Sequence, residues 1–460
     1  MPQWLQDFSP ILILLVVIAV TIGRLPKIDV GHTPQFRTRR IRNWLPVGML
    51  YAFLYMGRYN LTVAKGAFGE LMTNSDFGTI FGIGTAVYGS AFLINGPLTD
   101  RIGGKKAVLI GAVGSLIANA AMGWVTLQGE TENLVATFSV LYGVNMYFQS
   151  FGAVSIVKIN APWFHVRERG VFGAIFGILI SLGVYFAFDV GGMIVDAFDL
   201  PWVFFAPSLL LAIVGVVVFF TVKNTPGEAG HEDFDTADAS SGDDGPRLPA
   251  VQVFKMMLSS SVVMTIAAIE FCSGFLRQAI MQWYRTYAKG IGQTDSFVYE
   301  NWGMLLCCAG IMGGVFAGTI SDHIFQSRRG PVAAVLYALM LVGAIILVFL
   351  IGSPALPWTI VFMSMCVIGV HGMLSGTASM DFGGRKNVGV AVGIIDGFVY
   401  AGTAVMSFTY GAVLPEGDAQ AVLDNWTPWP VAMIPVALIG LVLARRVWNA
   451  KPQAKAEAKT

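Results

Sequence analysis

Apolar runs of about twenty residues recur along almost the whole of this 460-residue chain, and they restrict it to one class of fold. Hydrophobic residues make up 55% of the sequence and charged residues only 12%, whereas about 25% of residues are charged in soluble domains. A helix needs about 20 apolar residues to cross the roughly 30 Å hydrocarbon core of a bilayer. The sequence therefore predicts an all-α protein embedded in a lipid bilayer.

The apolar runs predict one early membrane span followed by twelve more. The early span is centred on residues 11–22 and follows Asp7 instead of the basic flank of a signal peptide, so we expect it to be retained. The other twelve are expected at residues 44–66, 77–98, 106–127, 134–158, 170–192, 201–222, 260–284, 299–321, 331–352, 357–379, 388–413 and 429–447.

Charges outside the spans predict the orientation. Basic residues such as Lys105, Arg169 and Arg445 fall in one set of alternating connections, and acids such as Glu132 and Glu416 fall in the other. Because basic loops remain in the cytoplasm, we expect an external N-terminus and a cytoplasmic C-terminus. Compact loops favour a bacterial inner membrane.

Composition also indicates what the chain does not require. Its net charge of +1 offers no argument for nucleic acid, and its four cysteines lie in apolar runs without the spacing of metal ligands. We expect no metal, no cofactor and no covalent catalysis, so we do not expect an enzyme. We expect the protein to be a monomer.

Five regions are predicted. Residues 1–43 form an extra N-terminal helix with a basic loop, 44–222 a first six-helix bundle, and 223–250 a flexible acidic linker rich in Asp, Gly and Ser. Residues 251–448 form a second six-helix bundle, and 449–460 a cytoplasmic tail.

One short motif is repeated in the two predicted bundles. Residues 96–106 read GPLTDRIGGKK and residues 318–322 read GTISD, so both contain G-x-x-x-D near the cytoplasmic end of a span. A carboxylate with basic neighbours at such a turn can lock two half-bundles together and release them during opening. The residues expected in this conformational switch are Asp100, Arg101, Asp322 and Arg328.

Two arginines occupy nearly equivalent places in the repeat. Asp100 and Asp322 are 222 residues apart, and Arg58 and Arg277 are 219 apart, both arginines lying inside predicted spans. A charge at this depth is costly and usually faces a cavity or a partner. We expect the two guanidinium groups to face each other and bind an anion, because their planar forks match phosphate or carboxylate. Lys65, seven residues after Arg58, should lie on the same helical face.

Several motifs resemble those of the major facilitator superfamily, and within it those of the organophosphate:phosphate antiporters. They are the 96–106 loop, RYNLTVAK (58–65), PWFHVRERG (162–170), KNTP (223–226), FLRQAI (275–280) and the segment 380–402. The resemblance implies a major facilitator fold and a phosphorylated substrate held by Arg58 and Arg277. It also implies substrate contacts at Tyr55, Tyr88, Tyr400, Lys65 and Asp396.

The chain departs from the glycerol-phosphate pattern at several site positions. Phe92 stands where those transporters carry a lysine, Ile180 where they carry a histidine, and Tyr59 where a lysine follows the first arginine. These differences leave the identity of the substrate open. Lys65 is a candidate to supply some of the missing charge, with Asp396 as its possible ion-pair partner.

Other polar residues within the spans have more than one interpretation. Glu270 lies seven residues before Arg277, so we predict that it is a charge partner of that arginine. His371 fits a buried structural imidazole better than a proton relay. Lys158 is expected at the cytoplasmic surface, as a snorkelling residue or gate. Asp189 is expected to be solvated near the outer surface.

The predicted function is secondary active transport of an organic anion, most simply an organophosphate exchanged for inorganic phosphate. One alternative is a membrane sensor that binds a phosphorylated metabolite without transporting it. Another is a proton-coupled transporter of a carboxylate or zwitterion, with Asp396 or Glu270 carrying the proton.

Overall fold

A computed structural model describes residues 3–25, 28–129, 132–165, 168–236, 249–325, 329–374 and 379–449. Some side chains within these ranges lie outside the description, including those of Asp322 and of residues 379–389. The described chain consists of helices and short connections, which confirms the predicted all-α class. Nine of its helices are long and apolar enough to cross a membrane by length and composition.

Sixteen helices are described, and most of the long ones coincide with predicted spans to within a few residues. They are α1 (Gln3–Arg24), α2 (Pro34–Phe68), α3 (Asn74–Ile102), α4 (Gly104–Gln128), α5 (Leu134–Asn160), α6 (Arg169–Tyr185), α7 (Gly191–Ala197), α8 (Trp202–Thr221), α9 (Ala250–Ser259), α10 (Ser261–Gly290), α11 (Phe297–Glu300), α12 (Trp302–Ile324), α13 (Arg329–Phe349), α14 (Leu356–Met373), α15 (Ser379–Val413) and α16 (Pro428–Arg446). A π-helical turn, Phe186–Val190, joins α6 to α7. Hydropathy alone does not reveal α9, because this ten-residue helix is too short to span a bilayer.

Local sequence explains where the helices begin and end. The Thr33 hydroxyl caps α2 by accepting a hydrogen bond from the backbone N–H of Phe36, and Pro34 occupies the first turn, where its missing N–H has no cost. Thr73 and Asp76 form a reciprocal capping box at the start of α3. The sharp turn between α3 and α4 is at Gly103, whose φ of +88° suits glycine.

The helices form two bundles. In the first half, α2 to α8, the helix α4 packs on α5 and α8, while α2 packs on α6 and α8. In the second half, α9 to α16, the helix α10 packs on α15 and α16, and α13 packs on α14 and α16. Thr221, at the end of the first half, contacts Arg39 near the start of α2, and α9, at the start of the second half, packs on the beginning of α15. Because α3 and α15 are antiparallel, these segments lie at one end of the molecule, here called the linker end. The opposite end, with residues 69–73 and 414–427, is called the far end.

Two pairs of helices form most of the interface between the halves. The helix α3 packs along α15, and α6 packs along α12. Near the far end α3 and α15 touch backbone to backbone at Gly78 and Gly411. A Cβ atom added at Gly78 would lie 2.6 Å from the Ser407 carbonyl oxygen and 2.7 Å from the Gly411 Cα. Glycine at this crossing allows the halves to close tightly.

The additional helix α1 lies over the seam between the halves. Its Leu14 is buried in a cluster with Ile178 of α6 and Met304, Cys307 and Ile311 of α12. The helix therefore packs on α12, and its apolar cluster extends to α6 across the interface.

The first part of the predicted linker packs on the first half. The Lys223 carbonyl accepts hydrogen bonds from Asn43 Nδ2 at 3.1 Å and from Trp163 Nε1 at 3.3 Å. The Phe234 ring packs against His32 and Phe36. Residues 237–248 lie outside the described residues, so a flexible linker remains a prediction for that part.

Candidate binding site at the interface of the two halves

Arg58 is fully buried at mid-depth between the halves, and all its side-chain hydrogen-bond partners are uncharged. Its Nε donates to Gln149 Oε1 at 2.9 Å, and its two terminal nitrogens donate to the hydroxyls of Tyr88 at 2.9 Å and Tyr400 at 2.7 Å. The guanidinium also stacks over the ring of Tyr55, at 4.4 Å from its centroid. No carboxylate in the described part of the chain lies within ion-pair distance of this cation.

A polar network on α5 fixes the position of Arg58. Gln149 donates to Asn145 Oδ1 at 3.1 Å, Asn145 donates to the Gly57 carbonyl at 2.8 Å, and Tyr142 donates to the Arg58 carbonyl at 2.8 Å. These residues were not predicted as part of the site. The signal available in the sequence was a set of amide and phenol side chains at helical spacing within an apolar segment.

The three predicted tyrosines come together at Arg58. Tyr55 and Tyr88 belong to the first half, whereas Tyr400 reaches it from α15 of the second half. The rings of Tyr88 and Tyr400 are in contact, with centroids 4.1 Å apart. A phenol that accepts from arginine retains its own proton, so both hydroxyls can still donate to an anion.

Arg277, on α10 of the second half, lies beside the same aromatic group. Its side chain is buried, with 7% exposure, and Tyr55 and Tyr400 lie near enough to interact electrostatically with both arginines. The buried Nε atom of Arg277 has no hydrogen-bond partner in the described residues. Beside it, Gln278 of α10 donates to the Tyr59 hydroxyl at 2.9 Å and so joins the halves. The structure thus places Arg58 and Arg277 in one buried region.

Lys65 lies away from this region, towards the far end. Its Nζ is 6.0 Å from the ring centroids of both Phe77 and Trp283, and its charged neighbours are Lys289 and Glu416. Seven residues separate it from Arg58, which is about 10 Å along a helix axis. Lys65 is thus nearer the far end than the two arginines, and its role in substrate binding stays a prediction.

The suggested ion pair between Lys65 and Asp396 is not formed. Asp396 precedes Tyr400 by one helical turn and interacts electrostatically with Tyr88 and His371, so it lies on the linker side of Arg58. Because α2 and α15 run in the same direction, the lysine and the carboxylate lie on opposite sides of Arg58, separated by about 15 Å along the bundle axis.

Glu270 is paired with His371 instead of Arg277. Its Oε2 atom is 2.7 Å from Nδ1 of His371 on α14, and Arg277 is an electrostatic neighbour beyond ion-pair distance. The side chain is fully buried, and its Oε1 atom has no hydrogen-bond partner among the described residues. The predicted direct partnership with Arg277 is therefore replaced by a carboxylate–imidazole pair.

Two of the four predicted switch residues, Asp100 and Arg101, have side chains that the structure describes. Asp100 of α3 accepts a hydrogen bond of 2.8 Å from Lys158 Nζ of α5, so this ion pair lies within the first half. Arg101 is exposed to solvent. Arg328 and the side chain of Asp322 lie outside the described residues, and their roles remain predictions.

Polar contacts close the interface at the far end. The Asn74 amide donates to the Pro415 carbonyl at 2.6 Å, the Ser75 N–H donates to Glu416 at 2.8 Å, and Lys289 Nζ donates to the Gly66 carbonyl at 2.8 Å. Between described residues, side-chain hydrogen bonds that cross the interface lie at mid-depth or at this end. The structure is therefore closed at the far end.

Asp189 belongs to this closure, although the sequence suggested a solvated carboxylate. It lies on the π-helical turn of the first half, and its two oxygens accept from the backbone N–H groups of Gly303 at 2.6 Å and Met304 at 2.7 Å. Both N–H groups belong to the first turn of α12, in the second half, where a negative charge is favourable.

A second polar cluster lies at the linker end of the first half. Arg40 donates to Glu168 Oε2 at 2.8 Å, and His32 Nε2 lies 3.5 Å from the same oxygen. The hydrogen bond from Arg40 and its charge hold the pKa of Glu168 below the ordinary value despite burial. Burial lowers the pKa of His32, outweighing the attraction of Glu168.

Comparison with known proteins assigns this architecture. A family model described as Major Facilitator Superfamily matches residues 47–407. The chain belongs to the Major Facilitator Superfamily. This assignment confirms the predicted fold, with two bundles around a central interface, and makes the protein a multi-pass membrane transporter by class.

Curated relatives within this superfamily include carriers of phosphorylated metabolites. The chain is 25% identical over 448 residues to the glycerol-3-phosphate transporter of Bacillus subtilis, covering 91% of this chain and 95% of the relative. It is 23% identical over 442 residues to a probable hexose phosphate transport protein of Chlamydia trachomatis, covering 91% and 93%. The membrane sensor protein UhpC of Escherichia coli is 24% identical over 421 residues, covering 84% and 88%. These relatives confirm the resemblance to the organophosphate:phosphate antiporter family.

Solved structures support the fold alone. A bacterial homolog of the human lysosomal transporter Spinster, inward-facing and unoccupied, matches with a TM-score of 0.68 at 12% identity, covering 93% of this chain and all of that one. The xylose transporter XylE of E. coli, partially occluded and inward open, matches with a TM-score of 0.64 at 13% identity, covering 90% and 100%.

Proposed function

We propose that this protein exchanges an organophosphate for inorganic phosphate across the membrane, by alternating access around Arg58 and Arg277. The observation that carries the proposal is the environment of Arg58. Among the residues that the structure describes, its buried guanidinium has only neutral hydrogen-bond partners, and these come from both halves. A buried cation without a counter-ion is costly, and an anionic substrate would provide the missing charge.

Arg277 and the tyrosines complete a phosphate-binding arrangement. Arg277 offers an Nε donor that has no partner in the described residues, and the hydroxyls of Tyr88 and Tyr400 retain protons to donate. A phosphate has enough acceptor oxygens for two arginine forks and two phenols. Because these groups come from both halves, a bound phosphate would draw the halves together, which is how a ligand favours an occluded state.

The charges of Arg58 and Arg277 also explain why the carrier would exchange one phosphate compound for another. Without an anion, two buried guanidinium groups repel each other, and this repulsion opposes the occluded state through which the carrier must pass. A phosphate removes the repulsion, so the carrier changes its accessible side mainly when loaded. Asp189 and the other far-end contacts would then break as the far end opens, while the linker end closes.

Orientation and location follow from the charge distribution and the relatives. We propose that the linker end faces the cytoplasm, which makes this structure inward-facing, with the C-terminus inside and the N-terminus outside. The bacterial relatives favour the inner membrane, and a monomer is sufficient because both halves of the site belong to one chain.

A second candidate is a membrane sensor that retains the binding site. It is favoured by the similarity to the sensor protein UhpC and by the position of α1 across the α6–α12 seam, where a helix can report on the relative position of the halves. A sensor would bind the organophosphate without turnover.

Counterflow distinguishes these two functions. Purified protein in vesicles loaded with phosphate should take up labelled phosphate and organophosphates, and should do so only slowly when the vesicles contain no phosphate. Binding without counterflow would favour the sensor. Uptake that needs no internal phosphate and collapses with an uncoupler would favour proton coupling instead.

A further inference from the structure

We propose that the second half contains a cation subsite centred on Glu270, so that the organic substrate carries an ammonium group as well as a phosphate or phosphonate. This inference rests on the proposed function, because it assigns the part of the substrate that extends beyond the arginines. The predicted ligand is thus a zwitterionic aminoalkyl or amino-sugar phosphate.

The side chain of Glu270 has an oxygen without a hydrogen-bond partner among the described residues. Glu270 has no exposed surface, and its Oε2 atom is engaged by His371 at 2.7 Å. Its Oε1 atom and the nearby Ser273 hydroxyl, three residues further along α10, lack hydrogen-bond partners in the described residues. A buried carboxylate oxygen without a donor is costly, and a substrate donor at this position would remove that cost.

The position of Glu270 on α10 relative to Arg277 also favours a substrate contact. Glu270, Ser273 and Arg277 follow one another at intervals of three and four residues, so they share one face of α10. The seven residues from Glu270 to Arg277 correspond to about 10 Å along the axis. Glu270 lies on the linker side of the arginines, at the side where the halves are not joined by hydrogen bonds between described side chains. A phosphate held by Arg277 therefore leaves the organic part of the substrate directed along this face.

Charge favours an ammonium group over a hydroxyl. The two arginines balance a phosphate dianion, so an ionised Glu270 needs a counter-charge of its own in the loaded site. An ammonium group supplies that charge, whereas a hydroxyl donates a hydrogen bond only.

The test compares substrates that differ in one group. Equilibrium binding to the full-length protein is measured at pH 7 for ω-aminoalkyl phosphates of two to six carbons and for ω-hydroxyalkyl phosphates of the same lengths. At the best chain length, wild type should bind the amino compound at least tenfold more tightly than the hydroxy compound. Glu270→Gln, which keeps the shape but removes the charge, should reduce the ratio to about one, and inorganic phosphate should still bind measurably to this variant.

Controls separate this inference from the proposed function. Glu300→Gln removes an exposed acid at the far end and should keep the wild-type ratio. Equal binding of amino and hydroxy compounds by wild type, or an unchanged preference in Glu270→Gln, would overturn the cation subsite. If inorganic phosphate did not bind to wild type, or bound equally well without the arginines, the proposed function itself would fail.

Discussion

The Asp189 carboxylate of the first half accepts a hydrogen bond of 2.6 Å from the backbone N–H of Gly303 in the second half. With the parallel bond from Met304 at 2.7 Å, it places a negative charge at the start of α12, where the helix dipole favours one. Two charge-assisted bonds across the interface must break when the far end opens. Asp189 therefore stabilises the state that is closed at the far end, as a lock between the two halves.

Replacing Asp189 should shift the protein towards a state open at the far end. Asp189→Ala removes an ionised acceptor of two bonds, and hydrogen bonds to charged groups contribute roughly 1.5–3 kcal/mol each, so we expect the ratio of open to closed molecules to rise at least about tenfold. Spin labels at the far ends of α3 and α15 would report this as a longer distance. Asp196→Asn, an exposed acid on α7, serves as control. An unchanged distance distribution in Asp189→Ala would remove the lock.

Asp100 should affect the rate of exchange more than substrate affinity. Its partner Lys158 belongs to the same half, and both side chains are partly exposed, so the pair contributes at most about 1 kcal/mol to stability. We predict that Asp100→Asn slows phosphate exchange severalfold, whereas the phosphate dissociation constant changes less than twofold. A large loss of affinity at an unchanged exchange rate would contradict a role at the linker end.

Lys65 and Asp396 should act independently. They lie on opposite sides of Arg58, so the effects of Lys65→Ala and Asp396→Asn on substrate binding should add within about 0.5 kcal/mol, as expected for separated sites. A double-mutant cycle on the dissociation constant checks this. Recovery of the Lys65→Ala loss by Asp396→Asn would show that the two charges pair in some state of the cycle.

The cluster of His32, Arg40 and Glu168 should make the linker end sensitive to acid. Burial lowers the pKa of His32 below 6.5, so its contribution is complete above that pH and is lost as the pH falls through the lowered pKa. Glu168, with a pKa held below 4.5, loses its contribution only in stronger acid.

Hydrogen exchange of residues 28–36 and 223–236 provides the measurement. Exchange, corrected for its intrinsic pH dependence, should increase as the pH falls below 6.5, and His32→Gln should flatten that first increase without removing the one in stronger acid. An identical pH profile in wild type and His32→Gln would contradict the role of the imidazole.

The fold could be predicted from sequence because its determinants are local. The lengths of the apolar runs predicted the bounds of most helices to within a few residues. The repeated motif at Asp100 and Asp322 predicted two similar halves. The short helix α9 was not predicted, because it is too short to span the membrane and so does not produce a long apolar run.

The site could be predicted only in part. Arg58, Tyr88 and Tyr400 were expected to lie close together, and the structure places their side chains in contact, whereas their role in substrate binding stays a prediction. The partners of Glu270, Asp189 and Asp100 were not anticipated, because each is contributed by another helix, and helical spacing orders residues along one helix only. The depth of Lys65 relative to Asp396 likewise depends on how α2 and α15 are placed against each other.

Equilibrium binding of inorganic phosphate to Arg58→Ala and Arg277→Ala shows whether the two arginines hold the anion. Each change removes a charge-assisted donor for the anion, worth roughly 1.5–3 kcal/mol, so each variant should bind phosphate at least about tenfold more weakly than wild type. Arg→Lys should restore little, because an ammonium lacks the planar fork. The control Arg42→Ala, which removes an exposed arginine of α2, should bind like wild type. Wild-type phosphate affinity in either Arg58→Ala or Arg277→Ala would contradict the account.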